Sequence, residues 1–317
     1  MCPGLLSRYS PLPAFAGSVT FIGSPLLVSE NISARNSSAH QKNETLTVDG
    51  FKREFITCLP AGYSANDKLP IVVSLHGRLG TAERQVKFAD FRPIADQEKF
   101  IIVCPQGIDR SWNDGRGTPA HDKGVNDVKF ISELITYILK TYYGDASRVY
   151  LTGMSNGGFM SSRLACELNE RIAAIAVVGA SMDKDAGYEP RSAMPVMYIQ
   201  GTKDPLVPFA GGAMKKGAGG EIYGHEEVLK KWAVMDNCTK LTATDLPVIK
   251  NDGTTVTKEE YSGTAGVKVV GYTINDGGHT WPGGTQYLPK MIIGSLSHNL
   301  DACQVIWEFF KQHSLGE

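Results

Sequence analysis

Five short apolar runs, each reaching a glycine, constrain this chain most: PIVVSLHG (70–77), FIIVCPQG (100–107), RVYLTG (148–153), IAAIAVVGA (172–180) and MPVMYIQG (194–201). Runs this short, apolar without alternation, are the pattern of strands buried on both faces. Helical spacing lies between and after them. Val128, Ile131, Leu134, Ile135, Ile138 and Tyr142 share one face, with Asn126 and Asp127 placed to cap its start. GFMSSRLACEL (158–168), HEEVLKKWAVM (225–235) and NLDACQVIWEFFKQ (299–312) read as further helices, and GVKVVGYTI (266–274) as another strand. Strands alternating with helices predict an α/β fold: a mostly parallel central sheet with helices on both faces. The Asp-Gly pair in TLTVDGFKREFITCLP (45–60) adds a hairpin at the front.

Residues 45–317 carry this pattern without an internal linker and are expected to form one domain. Residues 1–44 do not fit it. PLPAFAGSVTFIGSPLLV is moderately apolar, AFA (14–16) resembles a leader-cleavage site, and SENISARNSSAHQKNE reads as a polar linker. This segment is excluded from the fold, and its leader-like character leads us to expect a secreted or periplasmic protein. With 32 basic and 33 acidic side chains, the net charge of −1 gives no electrostatic case for nucleic acid or an anionic membrane. No apolar run approaches the ~20 residues that span a bilayer. The oligomeric state is left open.

Six cysteines without a C-x-x-C pair speak against a zinc site or a disulfide scaffold. Cys58, Cys104 and Cys166 lie in apolar runs and are expected to be buried; a single disulfide stays open. No two histidines have the helical spacing of a zinc site, and neither a metal nor a cofactor is expected.

In open sheets of this kind ligands bind beyond the carboxyl ends of the strands, and four loops there carry chemistry. In LTGMSNGGF (151–159) a strand meets a helix through Gly153-Met154-Ser155-Asn156-Gly157. That is the setting of a nucleophile elbow, in which a Cβ at 153 or 157 would collide with a neighbouring element. The plainer alternative is a turn whose serine caps the helix. In QGTKDPLVPF (200–209) Asp204 follows a buried strand, and in NDGGHTWPGG (275–284) His279 sits among glycines after another. Serine, then acid, then histidine is the chain order of a hydrolase triad on an α/β sheet. Asp276 is the rival acid, but three residues from His279 it would have to fold back tightly. In SLHGRLG (74–80) the His-Gly pair marks a loop that supplies one oxyanion N–H, at Arg78, with Asn156 supplying the other.

With these residues in view, the chain resembles the polyhydroxybutyrate depolymerase-like esterases, which overlap with feruloyl and acetylxylan esterases. The resemblance runs over about residues 45–312 and rests on LHG (75–77), CPQG (104–107), SWNDGRG (111–117), GMSNGG (153–158), LACE (165–168) and GTKDPLVP (201–208). GGHTWPGG (277–284), YLPKMIIG (287–294) and DACQVIWEFF (301–310) complete it. It implies an α/β-hydrolase fold without a large lid domain, with Ser155 as nucleophile, His279 as base and Asp204 as its orienter. It further implies that Trp112 and Trp281 line the substrate pocket. His76 is grouped with them at the substrate site, orienting the loop rather than moving protons. The family's cysteine after His-Gly is here Arg78, and a second cysteine that would pair with Cys238 is here Thr264. The glycine-rich AGGAMKKGAGG (210–220) reads as a mobile rim loop.

The expected reaction is hydrolysis of a small or polymeric carboxylic ester through an acyl-serine, with feruloyl or acetyl esters of plant polysaccharide and short hydroxyalkanoate esters as the substrates the resemblance implies. A serine peptidase or acyltransferase could use the same three residues. A non-catalytic binding protein on this fold would be expected to lack one of them.

Overall fold

In the computed structural model, which describes residues 40–189, 191–263 and 268–316 and omits the side chain of Lys268, the Asp-Gly pair turns a hairpin. It joins β1 (His40–Val48) to β2 (Phe51–Leu59), antiparallel. Both turn residues take positive φ, 50° at Asp49 and 80° at Gly50, matching the right-handed twist of the strands they connect. The boundary expected at residues 44/45 thus falls inside β1. The leader-like residues, Cys2 and Thr264 lie outside the described residues.

After the hairpin come β3 (Ile71–Leu75), α1 (Ala82–Phe88), α2 (Arg92–Glu98), β4 (Ile101–Pro105), the short α3 (Pro119–Asp122) and α4 (Asp127–Tyr142). Then follow β5 (Val149–Met154), α5 (Asn156–Glu167), β6 (Ala174–Val178) and β7 (Val196–Gly201). A two-stranded hairpin of β8 (Gly212–Ala213) and β9 (Glu221–Ile222) precedes α6 (His225–Met235). The chain closes with β10 (Lys240–Asp245), β11 (Thr255–Ser262), β12 (Lys268–Asn275), the short α7 (Lys290–Ile293) and α8 (Ala302–Phe310).

Ten strands form one sheet in the order β1-β2-β4-β3-β5-β6-β7-β12-β11-β10. From β4 to β12 neighbours are parallel, as expected, and antiparallel strands flank them on both sides. The buried strands alternate strictly between two cores. Ile71, Val73, Val149 and Leu151 pack with Phe130, Leu134, Phe159 and Trp232 of α4, α5 and α6. Val72 and Tyr150 pack with Val86, Ala95, Trp307 and Phe310 of α1, α2 and α8. Helices therefore cover both faces, and β3–β7 have no residue left for solvent.

Asn126 caps α4, its side chain accepting the Lys129 N–H at 2.9 Å. Asp127 turns away to the buried Arg53 and to the Asn113 N–H. Among the described residues no helix is long and apolar enough to cross a membrane. The glycine-rich rim segment carries the two-residue strand β8 and leads into β9, with Gly211, Gly212, Gly217, Gly219 and Gly220 all at positive φ.

Candidate active site

Ser155 stands between β5 and α5 with φ 54° and ψ −123°, a conformation that costs a non-glycine residue energy and is held by its surroundings. Its N–H donates to Val178 O at 2.9 Å, tying the turn to the neighbouring β6. Its side chain makes no helix-capping hydrogen bond, so it is not spent on the role a plain turn would give it. The flanking glycines are required sterically. A Cβ on Gly153 would stand 2.5 Å from the Gly157 carbonyl carbon, and one on Gly157 would press on Leu75 O and stand 2.6 Å from His76 O. The N-terminus of α5 lies directly behind the serine, where its dipole favours negative charge.

His279 and Asp204 meet although 75 residues apart. The His279 Nδ1–H donates to Asp204 Oδ2 at 2.7 Å, and both side chains are buried. Asp204 Oδ1 accepts the N–H groups of Leu206 and Val207, each at 2.8 Å, so the carboxylate is fixed before the histidine uses it. The histidine loop is pinned in turn: His279 N–H donates to Ile293 O, Gly278 N–H to Ser295 O, and the Tyr287 hydroxyl to His279 O. The rival Asp276 points elsewhere, to an exposed ion pair with Lys203 at 2.6 Å.

Gly179 places this pair beside the serine. It follows Val178, which pairs with Met154 across β5 and β6, so Gly179 lies alongside Ser155 at about the 4.8 Å strand spacing. A Cβ on Gly179 would stand 3.2 Å from His279 Nδ1. Among the described residues no hydrogen bond links Ser155 Oγ to His279 Nε2, a bond that commonly forms fully only in the complex with substrate.

The His-Gly loop reaches the same spot. A Cβ on Gly77 would stand 3.3 Å from Met154 O and 3.5 Å from Ser155 Cβ. The backbone N–H groups of Arg78 and Asn156 have no protein acceptor among the described residues, which leaves both available to an oxyanion. The Arg78 side chain is exposed on the rim.

Three residues assigned to the substrate site are not at its surface. His76 is buried; its Nδ1–H donates to Gly77 O at 2.8 Å and its Nε2 accepts the Gly107 N–H at 3.0 Å. Burial pushes its imidazole down to about 4, so it stays neutral and acts as a brace for the loop. Trp112 is 0% exposed: its Nε1–H donates to His76 O at 2.8 Å, and its ring packs on the His76 imidazole. Trp281 is 1% exposed, wedged edge-on against Phe88 and Phe91. Both rings are buried beneath their loops, Trp112 against His76 and Trp281 against Phe88 and Phe91.

What the sequence did not single out is the environment of the Asn156 side chain. Its Oδ1 accepts the Trp112 N–H at 2.7 Å, and its Nδ2 donates to Trp112 O and to Asp114 Oδ2. Asp114 is in turn held by Arg116, whose Nη2 donates to Oδ2 at 2.6 Å. Two charged residues inside the glycine-containing SWNDGRG stretch were the available signal. Cys58, Cys104 and Cys166 are buried thiols, as expected, and burial pushes Cys58 up to about 11. Among the described residues no cluster of three or more His, Cys, Asp or Glu could hold a metal.

Residues 54–217 match the family profile described as esterase PHB depolymerase, a span that holds Ser155 and Asp204. The chain is 26% identical over 252 residues to NocK of Nocardia uniformis subsp. tsuyamanensis, named as an esterase, covering 76% of this chain and 73% of that one. It is 28% identical over 273 residues to feruloyl esterase B of Piromyces equi, covering 83% of this chain but 46% of that longer protein. Among solved structures it is similar to an acetyl xylan esterase from Aspergillus awamori, with TM-score 0.51 and 17% identity over 76% of this chain and 94% of that one. A thermostable esterase gives TM-score 0.55 and 17% identity over 86% of this chain and 63% of that one. These likenesses identify the α/β-hydrolase fold.

Proposed function

The chain belongs to the esterase PHB depolymerase family and is a carboxylic ester hydrolase, and from that premise we propose that Ser155, His279 and Asp204 are its catalytic triad. Ser155 Oγ attacks the ester carbonyl carbon while His279 Nε2 takes the hydroxyl proton. Asp204 holds the imidazole with its Nδ1 protonated and stabilises the imidazolium that forms. The N–H groups of Arg78 and Asn156 receive the carbonyl oxygen as it becomes an oxyanion. His279 then protonates the departing alkoxide, and in the second half draws a proton from water, whose attack frees the acid and restores Ser155. The observation that carries this is the buried His279–Asp204 pair packed on Gly179, one strand from a serine held at positive φ.

The proposed substrates are feruloyl or acetyl esters of plant polysaccharide. This is supported by the kinship to feruloyl esterase B. Secretion is proposed alongside it: a polymeric ester cannot cross a membrane to reach an enzyme inside. The test is hydrolysis of methyl ferulate, acetylated xylan and short hydroxybutyrate oligomers by the wild type and by Ser155→Ala. The first two should be cleaved, and Ser155→Ala should fall to background on p-nitrophenyl acetate while remaining folded. Full activity in Ser155→Ala would remove the assignment, and turnover of hydroxybutyrate oligomers alone would move the substrate class.

A further inference from the structure

The two N–H groups of the oxyanion site lie on separate loops, and a third loop that carries neither of them ties the two together. Trp112 is the tie. Its backbone N–H and C=O both pair with the Asn156 side chain, at 2.7 and 3.0 Å, while its indole N–H holds His76 O at 2.8 Å. One peptide unit beyond His76 O is the Gly77–Arg78 amide, and the Asn156 N–H belongs to the residue whose side chain Trp112 grips. The two loops also pack directly at Gly77 and Gly157, but the hydrogen-bonded link between the two oxyanion donors passes through Trp112.

The Asn156 amide must point one way for this to hold. Oxygen and nitrogen of an amide are nearly isosteric, and a flipped Asn156 would set its NH2 against the Trp112 N–H. Asp114 Oδ2, 2.7 Å from Asn156 Nδ2, accepts only and so selects the orientation. Arg116 fixes that carboxylate, through Nη2 to Oδ2 at 2.6 Å and Nε to Oδ1 at 3.2 Å. The arginine is itself held, stacked 3.5 Å over the Phe159 ring of α5 with Nη1 on Met214 of the β8–β9 hairpin. Trp112 and Asp114 are 0% exposed and Asn156 3%, so these bonds act in a low dielectric, where they are strong and where a missing partner is costly.

We propose that Asp114 is a positioning residue for the oxyanion hole, acting through the side-chain amide of Asn156, with Trp112 as the strut that sets the spacing of the Asn156 and Arg78 N–H groups. This rests on the esterase assignment of Ser155. Because the oxyanion forms only during reaction, misplacing its donors should weaken the transition state and leave ground-state binding nearly intact.

The experiment compares Asp114→Ala, Asn156→Ala and their double variant in kcat, KM and inhibition by a small boronic acid, whose tetrahedral serine adduct places an oxygen in the hole. Removing one oxyanion donor outright costs about 10²–10³-fold in kcat, so each single variant should lose roughly 10- to 100-fold. KM should stay within about 3-fold, and boronate affinity should fall in step with kcat/KM. The pH profile should keep its shape, since the triad is untouched. If Asp114 acts through Asn156, the double variant loses no more than the worse single one. Additive losses, a loss confined to KM, or unchanged boronate affinity would overturn the proposal. Should Asp114→Ala fail to fold, Asp114→Asn combined with Arg116→Gln keeps an acceptor opposite Asn156 Nδ2 without a buried charge. It should hold kcat within about 10-fold of wild type, again with boronate affinity following kcat, and independence of the two counts against the proposal. Ser155→Ala, assayed alongside, separates the two levels: residual hydrolysis there fails the nucleophile assignment and not the strut.

Discussion

Asp204 presents its two carboxylate oxygens to different partners: Oδ2 to the Nδ1–H of His279 at 2.7 Å, Oδ1 to the N–H groups of Leu206 and Val207. The division of labour fixes the histidine tautomer. Oδ1 must remain an acceptor because two backbone donors face it, so the other end of the group is the only one that can be altered without unmaking the turn.

Asp204→Asn is therefore expected to leave the fold intact and damage the chemistry. Its amide oxygen stays with the backbone donors and its NH2 faces His279 Nδ1, which must then accept, leaving the proton on Nε2. An imidazole in that tautomer cannot take the serine proton, and kcat should drop roughly ten-thousand-fold with little change in KM. Asp276→Asn breaks only an exposed pair with Lys203, and activity should change by less than about 2-fold. Steady-state kinetics on p-nitrophenyl acetate decide between them; a larger loss in Asp276→Asn would reverse the assignment of the acid.

The elbow glycine at 157 gives a prediction about stability. An added methyl meets Leu75 O and His76 O, both backbone atoms of β3 and the loop after it, which cannot rotate aside. Gly157→Ala should destabilise the protein by roughly 1–3 kcal/mol or more, and denaturant midpoints would record it. An unchanged midpoint would mean that α5 can slide away from β3.

Much of this architecture is written locally, and its omissions have physical causes. The apolar strands, the Asp49–Gly50 turn and the glycines around Ser155 are legible because each is enforced by contacts within one or two neighbouring elements. β10 was not, because all six of its residues are exposed on the sheet edge and carry no burial pattern. α1 and α2 are seven residues each, too short for a helical period to emerge. In the site, the residue types of the triad and their order could be read, whereas the Asn156–Asp114 bond joins positions 42 apart and follows no spacing rule. The resemblance implies Trp112 and Trp281 at the pocket, but a motif match carries no packing. Whether a ring turns outward or under its loop is decided by the packing of Phe88, Phe91 and His76, which no local pattern contains.

Asp236 closes α6 and is 4% exposed; its Oδ1 accepts the Met194 N–H at 3.0 Å and its Oδ2 has no partner. Burial pushes its carboxyl up to about 7. The folded protein thus holds this proton more tightly than the unfolded chain, and stability is lost as pH rises from about 4 to 7. Asp236→Asn keeps the acceptor for Met194 and removes the titration. At pH 8 it should gain at least about 1 kcal/mol, or roughly 2–4 °C in Tm, with a much smaller gain at pH 4. An equal shift at both pH values would place the effect outside this carboxyl.

His225 has the opposite sign. It is fully buried at the start of α6, stacked on Phe209, with both ring nitrogens unpartnered and Glu259 Oε2 4.0 Å away. Burial pushes its imidazole down to about 4, as it does for His76. Between about 6.5 and 4 the unfolded chain takes up protons that the folded one refuses, so each histidine withdraws stability as pH falls through that window, up to about 3 kcal/mol at its lower end. His225→Leu removes one of the two contributions together with its unpartnered nitrogens, and leaves the loop at His76 untouched. Because Asp236 offsets these losses over the same window, the comparison is made in the Asp236→Asn background, where urea midpoints at pH 7.5 and pH 5 should show the parent falling on acidification and the His225→Leu variant falling about half as far. A variant that loses as much as its parent between the two pH values would show that His225 does not titrate against folding.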